Sequence, residues 1–258
     1  MTTVGENAMP SALALVPARL GSQRLPEKML LRETGRYLFQ HTVENLRASG
    51  VFERVMLATD HASIVEAARS VDIEVIETRP DHQSGTDRIH EAFETLVDAG
   101  EGPWDVVVNV QGDEPDLEPE DLARLVRTFD DDSIEMATLA TPLVDAAEFA
   151  DPACVKVVLD EAGRALYFSR APIPASKQAS KTVPASARKH VGVYAFRPRA
   201  LALFTELPHT ELERLESLEQ LRWLAHGRSL QVVDASHSAF GIDTPEDYRR
   251  FVRSQLPA

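Results

Sequence analysis

Cysteine is nearly absent from this sequence of 258 residues, with Cys154 as its single example. One cysteine excludes an intrachain disulfide and a zinc site built from several thiolates. Because Cys154 lies in the apolar run CVKVVLD, we expect a buried structural thiol and not a nucleophile. Long apolar runs are also missing, since no stretch approaches the ~20 residues that a membrane-spanning helix needs.

Positive charge is scarce too, with 27 Lys and Arg against 41 Asp and Glu and a net charge of −14. This balance argues against a general nucleic-acid or membrane-surface partner. Residues 1–11 lack the basic segment and apolar core of a secretory signal, so we expect a disordered tail and a cytoplasmic protein.

Apolar, β-branched runs alternate with segments of helical period through the first half of the chain. This alternation predicts an α/β fold with right-handed βαβ units and a mostly parallel sheet. The predicted strands are 12–18, 54–60, 74–78 and 106–112, and the predicted helices are 38–49, 61–70 and 86–99.

The second half has shorter strands and a polar loop. We predict a helix over 119–129, a strand over 136–143, a hairpin over 155–170, an exposed loop over 171–189, strands over 190–196 and 230–236, and a helix over 211–227. The helix over 211–227 carries a leucine stripe, and a last helix begins at Pro245 with Thr244 as its N-cap. No linker divides the chain, so we expect one domain over 1–258.

A basic loop follows the first predicted strand, in the stretch PARLGSQRLPEKMLL from Pro17 to Leu31. It contains Arg19, Arg24 and Lys28, with backbone N–H groups near Ser22. A loop at the carboxyl edge of a parallel sheet is a place where polyphosphate is held. A solvated surface loop explains the same residues equally well, so both interpretations stay open at this point.

Two carboxylates could form a magnesium site. Asp113 follows the fourth strand in QGDEP, and Asp243 precedes the last helix in GIDTPED. Mg²⁺ takes one or two carboxylates together with phosphate oxygens. The alternative is that each residue only begins a loop or interacts with a helix N-terminus.

Further polar residues are less specific. Ser84 and Arg88 in DHQSGTDR could bind a base or ribose, although a polar turn with Thr86 as N-cap explains them equally well. Taken singly, several residues of the second half have structural explanations: Arg170, His190, Tyr194, Glu216 and Gln220.

In combination, these segments resemble the 3-deoxy-manno-octulosonate (KDO) cytidylyltransferases, the CMP-KDO synthetases. The resemblance runs from about residue 13 to residue 251 and rests on the motifs PAR-x-x-S-x-RLP-x-K, LATDH, RPDHQSGTDR, VNVQGDEP, VKVVLD…ALYFSR, HVGVY, LE-x-LEQLR and GIDTPED.

The resemblance implies a Rossmann-like nucleotidyltransferase with a small β-rich acceptor and dimerisation lobe at about 160–227, and a cytoplasmic homodimer acting in lipopolysaccharide biosynthesis. It implies Mg²⁺-dependent transfer of CMP from CTP to KDO with release of pyrophosphate. The implied catalytic residues are Arg19, Lys28, Asp113 and Asp243, of which the two aspartates bind the metal. The implied nucleotide-binding residues are Arg19, Ser22, Arg24, Lys28, Ser84, Arg88 and Gln111, and the acceptor-binding residues are Gln111, Arg170, His190, Tyr194, Glu216 and Gln220.

The sequence departs from the family at a few positions. The usual LPGKPL is LPEKML here, which places Glu27 and Met29 beside Lys28, and Ala195 replaces a customary glycine. The alternative hypotheses are CMP transfer to another small anionic acceptor, such as phosphonoformate or an amino analogue of KDO, and a catalytically silent nucleotide-binding protein.

Overall fold

A computed structural model describes residues 8–22, 24–177, 182–237 and 241–255. The strands of this part of the chain are β1 (Ala12–Pro17), β2 (Arg54–Thr59), β3 (Val75–Glu77), β4 (Val106–Asn109), β5 (Met136–Pro142), β6 (Lys156–Leu159), β7 (Ala165–Ser169), β8 (Arg188–Phe196) and β9 (Gln231–Asp234). They form one sheet in the order β3-β2-β1-β4-β8-β5-β9, and β6 pairs with β7 and β8.

The sheet is mostly parallel along its central path, as the sequence predicts. β1 pairs in parallel with β2 and β4, β2 with β3, and β5 with β9, whereas β8 runs antiparallel to β4 and β5. The chain leaves β1 toward β2 on one side and returns to β4 on the other. The carboxyl ends of β1 and β4 therefore border a topological switch point, where open α/β sheets bind ligands.

Helices cover both faces of the sheet. They are α1 (Leu38–Ala48), α2 (Ala62–Ser70), α3 (Gly85–Asp98), α4 (Pro119–Arg127), α5 (Ala146–Ala150), α6 (Pro198–Glu206), α7 (Glu211–Glu216), α8 (Gln220–Ala225) and α9 (Pro245–Gln255). Short 3₁₀ helices span Lys28–Leu30 and Thr128–Asp130. None of the helices in the described ranges is both long and apolar enough to cross a membrane.

The two apolar layers follow from the alternation of side chains along a strand. In β1, Ala12 and Ala14 pack in one layer with α1, α2 and α4, while Leu13 and Leu15 pack in the other with α3, α6 and α8. Small residues on one face and leucines on the other let helices approach both sides of a fully buried strand. The strand is thus held from both sides, which places its carboxyl end firmly at the switch point.

The predicted helix over 211–227 is wrong as a single element. The chain forms α7 and α8, and between them Ser217 adopts a left-handed conformation with φ of 51°. The leucine stripe is divided accordingly: Leu218 and Leu221 are buried, but Leu212 and Leu215 are 42% and 73% exposed. The left-handed conformation of Ser217 causes this break, and the spacing of the leucines does not indicate it.

Other predictions differ in detail. The hairpin is confirmed as the antiparallel pair β6–β7, whereas α6 was not predicted. Of the predicted tail, residues 1–7 lie outside the described part, and Ser11 is hydrogen-bonded through its N–H and Oγ to Asp105, both at 2.9 Å. Cys154 is buried and free, as expected.

Candidate active site

Two adjoining clefts open at the carboxyl ends of β1 and β4. The larger has a volume of about 810 Å³ and the smaller about 240 Å³. Pro17, Arg19 and Gln111 line both, so they form a shared wall. The larger cleft is also lined by Gly21, Ser22, Arg24, Lys28, Met29, Asp113, Glu114, Gly241 and Asp243. The smaller is also lined by Ala18, His82, Gln83, Ser84, Gly85, Arg88 and Glu219.

The basic loop reaches the larger cleft because of its backbone. Glu27 adopts a left-handed conformation with φ of 52° and precedes the 3₁₀ turn that carries Lys28. This is the position at which the resembling family has glycine, the residue that adopts this conformation at least cost. Met29 is buried, and its Sδ would lie 3.0 Å from a Cβ on Gly112. Both departures from the family motif therefore concern the packing and backbone of the loop.

Lys28 joins the two predicted metal-binding carboxylates. Its Nζ donates to Asp113 Oδ2, to Asp243 Oδ1 at 3.0 Å and to the Ile242 carbonyl at 3.2 Å. Burial alone would lower the pKa of Lys28, but the charges of both aspartates outweigh it and raise the pKa above the ordinary value. The ammonium group is thus a cation held between two carboxylates.

The arm that carries Asp243 is fixed by its own contacts. The Ile242 N–H donates to the Asp113 carbonyl at 2.9 Å, which ties the two arms together. Thr244 is the N-cap, as predicted, since its Oγ1 accepts the Asp247 N–H at 3.2 Å. Asp243 is therefore not needed as a cap, and its second oxygen pairs with Arg24 at 2.9 Å.

Glu114 is a buried acid beside this network, and sequence reasoning did not select it. Burial, followed by the charges of Asp113 and Asp243, raises the pKa of Glu114 to about 8. Its Oε2 has no hydrogen-bond partner among the described residues. A Cβ on Gly192 would lie 2.8 Å from its Oε1, so a larger residue at position 192 would displace the Glu114 carboxyl group.

The smaller cleft lies beside the N-terminus of α3. Ser84, and not Thr86, is the N-cap, since its Oγ accepts the Asp87 N–H at 3.1 Å. Arg88 borders this cleft, but its guanidinium is already engaged by Asp60 at 2.8 Å and by the Thr78 hydroxyl at 2.5 Å.

Glu219 is a second residue that the sequence analysis missed. It lines the smaller cleft and accepts a hydrogen bond from Thr86 Oγ1 at 2.9 Å. Burial raises the pKa of Glu219. The family resemblance implies Glu216, three residues earlier, as an acceptor-binding residue, and a continuous helix over 211–227 would place Glu216 and Gln220 on one face. The break at Ser217 removes that relation.

Arg170 and Glu216 are brought together, but neither lines the two clefts. Glu216 accepts the Ser169 hydroxyl at 2.6 Å and the Arg170 N–H at 2.9 Å. The Arg170 guanidinium donates to the carbonyls of Glu216, Pro152 and Ser217 at 2.7, 3.0 and 3.4 Å. These contacts fasten the end of β7 to α7.

The remaining predicted acceptor residues lie deeper. The rings of His190 and Tyr194 are 5.3 Å apart, and Tyr194 is opposite Asn109 in the sheet. Burial lowers the pKa of His190 to about 3, so this ring is neutral. Burial, followed by the charges of Glu219 and Glu114, raises the pKa of Tyr194. Gln220 is buried, and its Nε2 has no partner within the described ranges.

The two carboxylates fit a hard divalent cation. Asp113 Oδ2 and Asp243 Oδ1 converge on one positive group, the Lys28 ammonium. The described residues hold no cluster of three or more His, Cys, Asp or Glu side chains suited to a metal. A cation here would therefore complete its coordination with oxygens from a bound substrate or water, which is how Mg²⁺ is commonly held.

Comparisons with known proteins identify the family of this chain. The family model described as cytidylyltransferase matches residues 13–230. The chain is 46% identical over 242 residues to a 3-deoxy-manno-octulosonate cytidylyltransferase of an Anaeromyxobacter species, covering 94% of this chain and 96% of that protein. It is 43% identical to the protein of the same name in Nitratidesulfovibrio vulgaris, covering 93% and 94%.

Solved structures lead to the same family. A CMP:2-keto-3-deoxy-manno-octonic acid synthetase complexed with CTP superposes with a TM-score of 0.86 at 37% identity, covering 95% of this chain and 98% of that one. The 4-diphosphocytidyl-2C-methyl-D-erythritol synthase of Anaerococcus prevotii, at 15% identity and a TM-score of 0.60, shares the fold. The chain belongs to the 3-deoxy-manno-octulosonate cytidylyltransferase family.

Proposed function

We propose that this protein, a nucleotidyltransferase by family, transfers CMP from CTP to KDO and releases pyrophosphate. The observation that carries the proposal is the contact of Lys28 with both Asp113 and Asp243 in a cleft that continues into a second, smaller one. Triphosphate chemistry needs cations and a metal site at one end of the nucleotide. The base and ribose need a separate polar recess at the other end.

The nucleotide is proposed to span both clefts. The smaller cleft offers hydrogen-bonding groups for base and ribose, including Ser84 and Gln111. Arg19 lines both clefts and makes no ion pair among the described residues, so its charge is available to phosphate. The larger cleft is also lined by the cations Arg24 and Lys28 and by the hydroxyl of Ser22, which we propose contact the phosphates.

The reaction needs charge neutralisation and alignment more than a strong base. Family membership suggests a divalent metal, and we propose Mg²⁺ held by Asp113 and Asp243; when bound, it lowers the pKa of the acceptor hydroxyl and offsets phosphate charge. Lys28 and Arg19 stabilise negative charge on the phosphates. Attack of the acceptor oxygen on the α-phosphorus forms the new P–O bond, the bond to pyrophosphate breaks, and the hydroxyl proton passes to solvent.

The acceptor is proposed to lie where the clefts meet. Gln111 lines both clefts, and its Nε2 is 3.4 Å from Asn109 Oδ1. Tyr194 and Gln220 would form the deeper part of this region, together with Glu219. Arg170 and Glu216 are proposed to shape it by holding the end of β7, because their polar atoms are used within the protein.

We further infer a homodimer that works in the cytoplasm, where CTP is made. Strand β7 of the hairpin and helix α7, both within the proposed lobe at 160–227, expose the large apolar side chains of Leu166, Leu212 and Leu215. A contiguous exposed apolar patch is typical of a surface that another chain covers, and we propose that these three leucines form such a patch.

A pyrophosphate-release assay tests the proposed function. The full-length protein is incubated with Mg²⁺ and CTP, and with KDO, an amino analogue of KDO, phosphonoformate or no acceptor. We expect release that depends on KDO, with loss of about 100-fold or more in Asp113→Asn because a metal ligand is removed.

Two results would contradict it. Pyrophosphate release with phosphonoformate or the amino analogue, but not with KDO, would show that KDO is not the acceptor. CTP binding without release for any acceptor would support a catalytically silent nucleotide-binding protein.

A further inference from the structure

The outer wall of the smaller cleft is a loop between β3 and α3. This loop contributes His82 and Gln83 to the cleft lining. Two charged residues of α3, Arg88 and Glu91, contact this loop. They are three positions apart and therefore lie on one face of the helix.

Glu91 binds the loop at two points. Both of its carboxylate oxygens accept the Arg79 N–H at 3.2 Å, and Oε2 is also bonded to His82 Nε2. Burial would raise the pKa of Glu91, but the hydrogen bonds from His82 and the Arg79 N–H keep it below the ordinary value. His82 has a side chain only 7% exposed, so its ring is enclosed by the protein and fixed by this carboxylate.

Arg88 holds the same loop from the neighbouring turn of α3. Its guanidinium donates to Thr78 Oγ1 at 2.5 Å and to the Arg79 carbonyl at 3.4 Å. The Asp60 carboxylate forms an ion pair with this guanidinium at 2.8 Å. Arg88 is buried, and its donors are directed to the protein. The backbone of Arg79 is thus held at its N–H by Glu91 and at its carbonyl by Arg88.

We infer that Glu91 is a positioning residue for the nucleotide, which acts by fixing His82 and the adjoining cleft wall, and that Arg88 acts in the same way. This inference rests on the proposed function, because it takes the smaller cleft as the site of the base and ribose. Neither role needs contact with the reacting phosphorus. The two residues should therefore govern the affinity for CTP and leave the chemical step nearly unchanged.

The test compares Glu91→Ala and Glu91→Gln with a matched control, Glu94→Gln. Glu94 lies on the same helix, has a side chain 63% exposed and contacts His90 at 3.5 Å. CTP affinity is measured by calorimetry, turnover by pyrophosphate release, and loop protection by amide hydrogen exchange over residues 79–83.

We expect Glu91→Ala to raise the Kd for CTP about tenfold, equivalent to ~1.4 kcal/mol, and to speed exchange over 79–83. The kcat at saturating CTP and the KM for KDO should stay within about twofold of wild type, since the chemical step is untouched. Glu91→Gln should be intermediate, because its amide oxygen still accepts the Arg79 N–H. Glu94→Gln should match wild type.

The inference is overturned if folded Glu91→Ala binds CTP within about twofold of the Glu94→Gln control, or if kcat falls while the Kd is unchanged. Should Glu91→Ala fail to fold, Glu91→Gln carries the same comparison. A wild-type protein that binds no CTP would overturn the proposed function and this inference with it. Wild-type binding with unaffected variants overturns this inference alone.

Discussion

Lys28 contacts both carboxylates of the larger cleft, whereas Arg24 pairs with Asp243 alone. Asp113 and Asp243 come from distant parts of the chain, and each contacts the same ammonium group. Like charges this close repel unless a positive charge lies between them. The contacts that Lys28 makes with the aspartates are therefore in competition with those it would make with phosphate.

The Lys28→Met variant should separate these two roles. Without the ammonium, the nucleotide-free protein should bind Mn²⁺, a spectroscopic probe for Mg²⁺, more tightly than wild type, because Asp113 and Asp243 lose the positive charge that they share, while Asp243 keeps its ion pair with Arg24. The affinity for CTP should fall by about 10- to 100-fold, as expected for a lost hydrogen bond to a charged group. Electron paramagnetic resonance gives the first quantity and calorimetry the second.

The control is Lys177→Met, since Lys177 is exposed and lines neither cleft. Mn²⁺ binding by Lys28→Met that is equal to or weaker than that of wild type would show that Lys28 does not compete with a cation for these carboxylates.

The acceptor side was less predictable residue by residue. Lys28, Asp113 and Asp243 are predicted from motif chemistry, because residue type and a place after a strand or before a helix suffice to suggest them. Glu219 does not, because its position depends on where a helix breaks. The left-handed Ser217 changes the direction of the chain before Glu219, and periodicity cannot encode that event.

The break between α7 and α8 also decides which leucines are buried. In a single amphipathic helix, the whole stripe would face the core. Here α8 packs its apolar residues inward, while Leu215 of α7 is 73% exposed and Leu166 of the neighbouring hairpin is 61% exposed. Glu216 holds the hairpin and α7 together through Ser169 and Arg170. The exposed leucines are therefore on elements that are fixed to each other.

This arrangement predicts that Leu215→Glu dissociates the inferred homodimer. A carboxylate placed in an apolar interface is costly to desolvate, so the variant should sediment as a monomer where wild type sediments at twice the chain mass. Analytical ultracentrifugation measures this. The control is Val144→Glu, because Val144 is 85% exposed and lies outside the hairpin and α7. Equal dimerisation of Leu215→Glu and wild type would assign the interface to another surface.

The central sheet contains a neutral histidine, His190 of β8. His190 of β8 is hydrogen-bonded to Thr138 of β5 at 3.0 Å and packs edge-on against Phe168 at 5.1 Å between ring centres. These contacts join β5, β7 and β8 around a group whose pKa is about 3 in the folded state. The unfolded chain would protonate the same ring near its ordinary pKa of about 6.5.

Stability should therefore fall on acidification in a way that depends on His190. The contribution is complete above about pH 6.5, where both states are neutral, and is lost as the pH falls toward 3, because the unfolded state then binds the proton first. Between pH 7 and pH 5 the loss should be on the order of 1–2 kcal/mol. Urea unfolding across this range, for wild type and His190→Gln, measures it.

The comparison depends on the slope against pH and not on the absolute stability, because His190→Gln also loses packing. His237→Gln is the control, as the side chain of His237 is 72% exposed. Parallel pH profiles for wild type and His190→Gln would show that His190 titrates alike in both states.

The fold class and the order of the main strands and helices follow from the sequence, which also predicts the phosphate and metal side of the cleft. These features depend on local periodicity, on turn chemistry and on polar residues directly after strands, all of which are written in consecutive residues. Contacts between distant segments decide that Arg170 and Glu216 bind each other away from the clefts, that Glu219 lines the smaller cleft, and that Arg88 and Glu91 hold the loop at its wall. Such assignments depend on which distant groups meet after the chain has turned, and one left-handed residue is enough to change them.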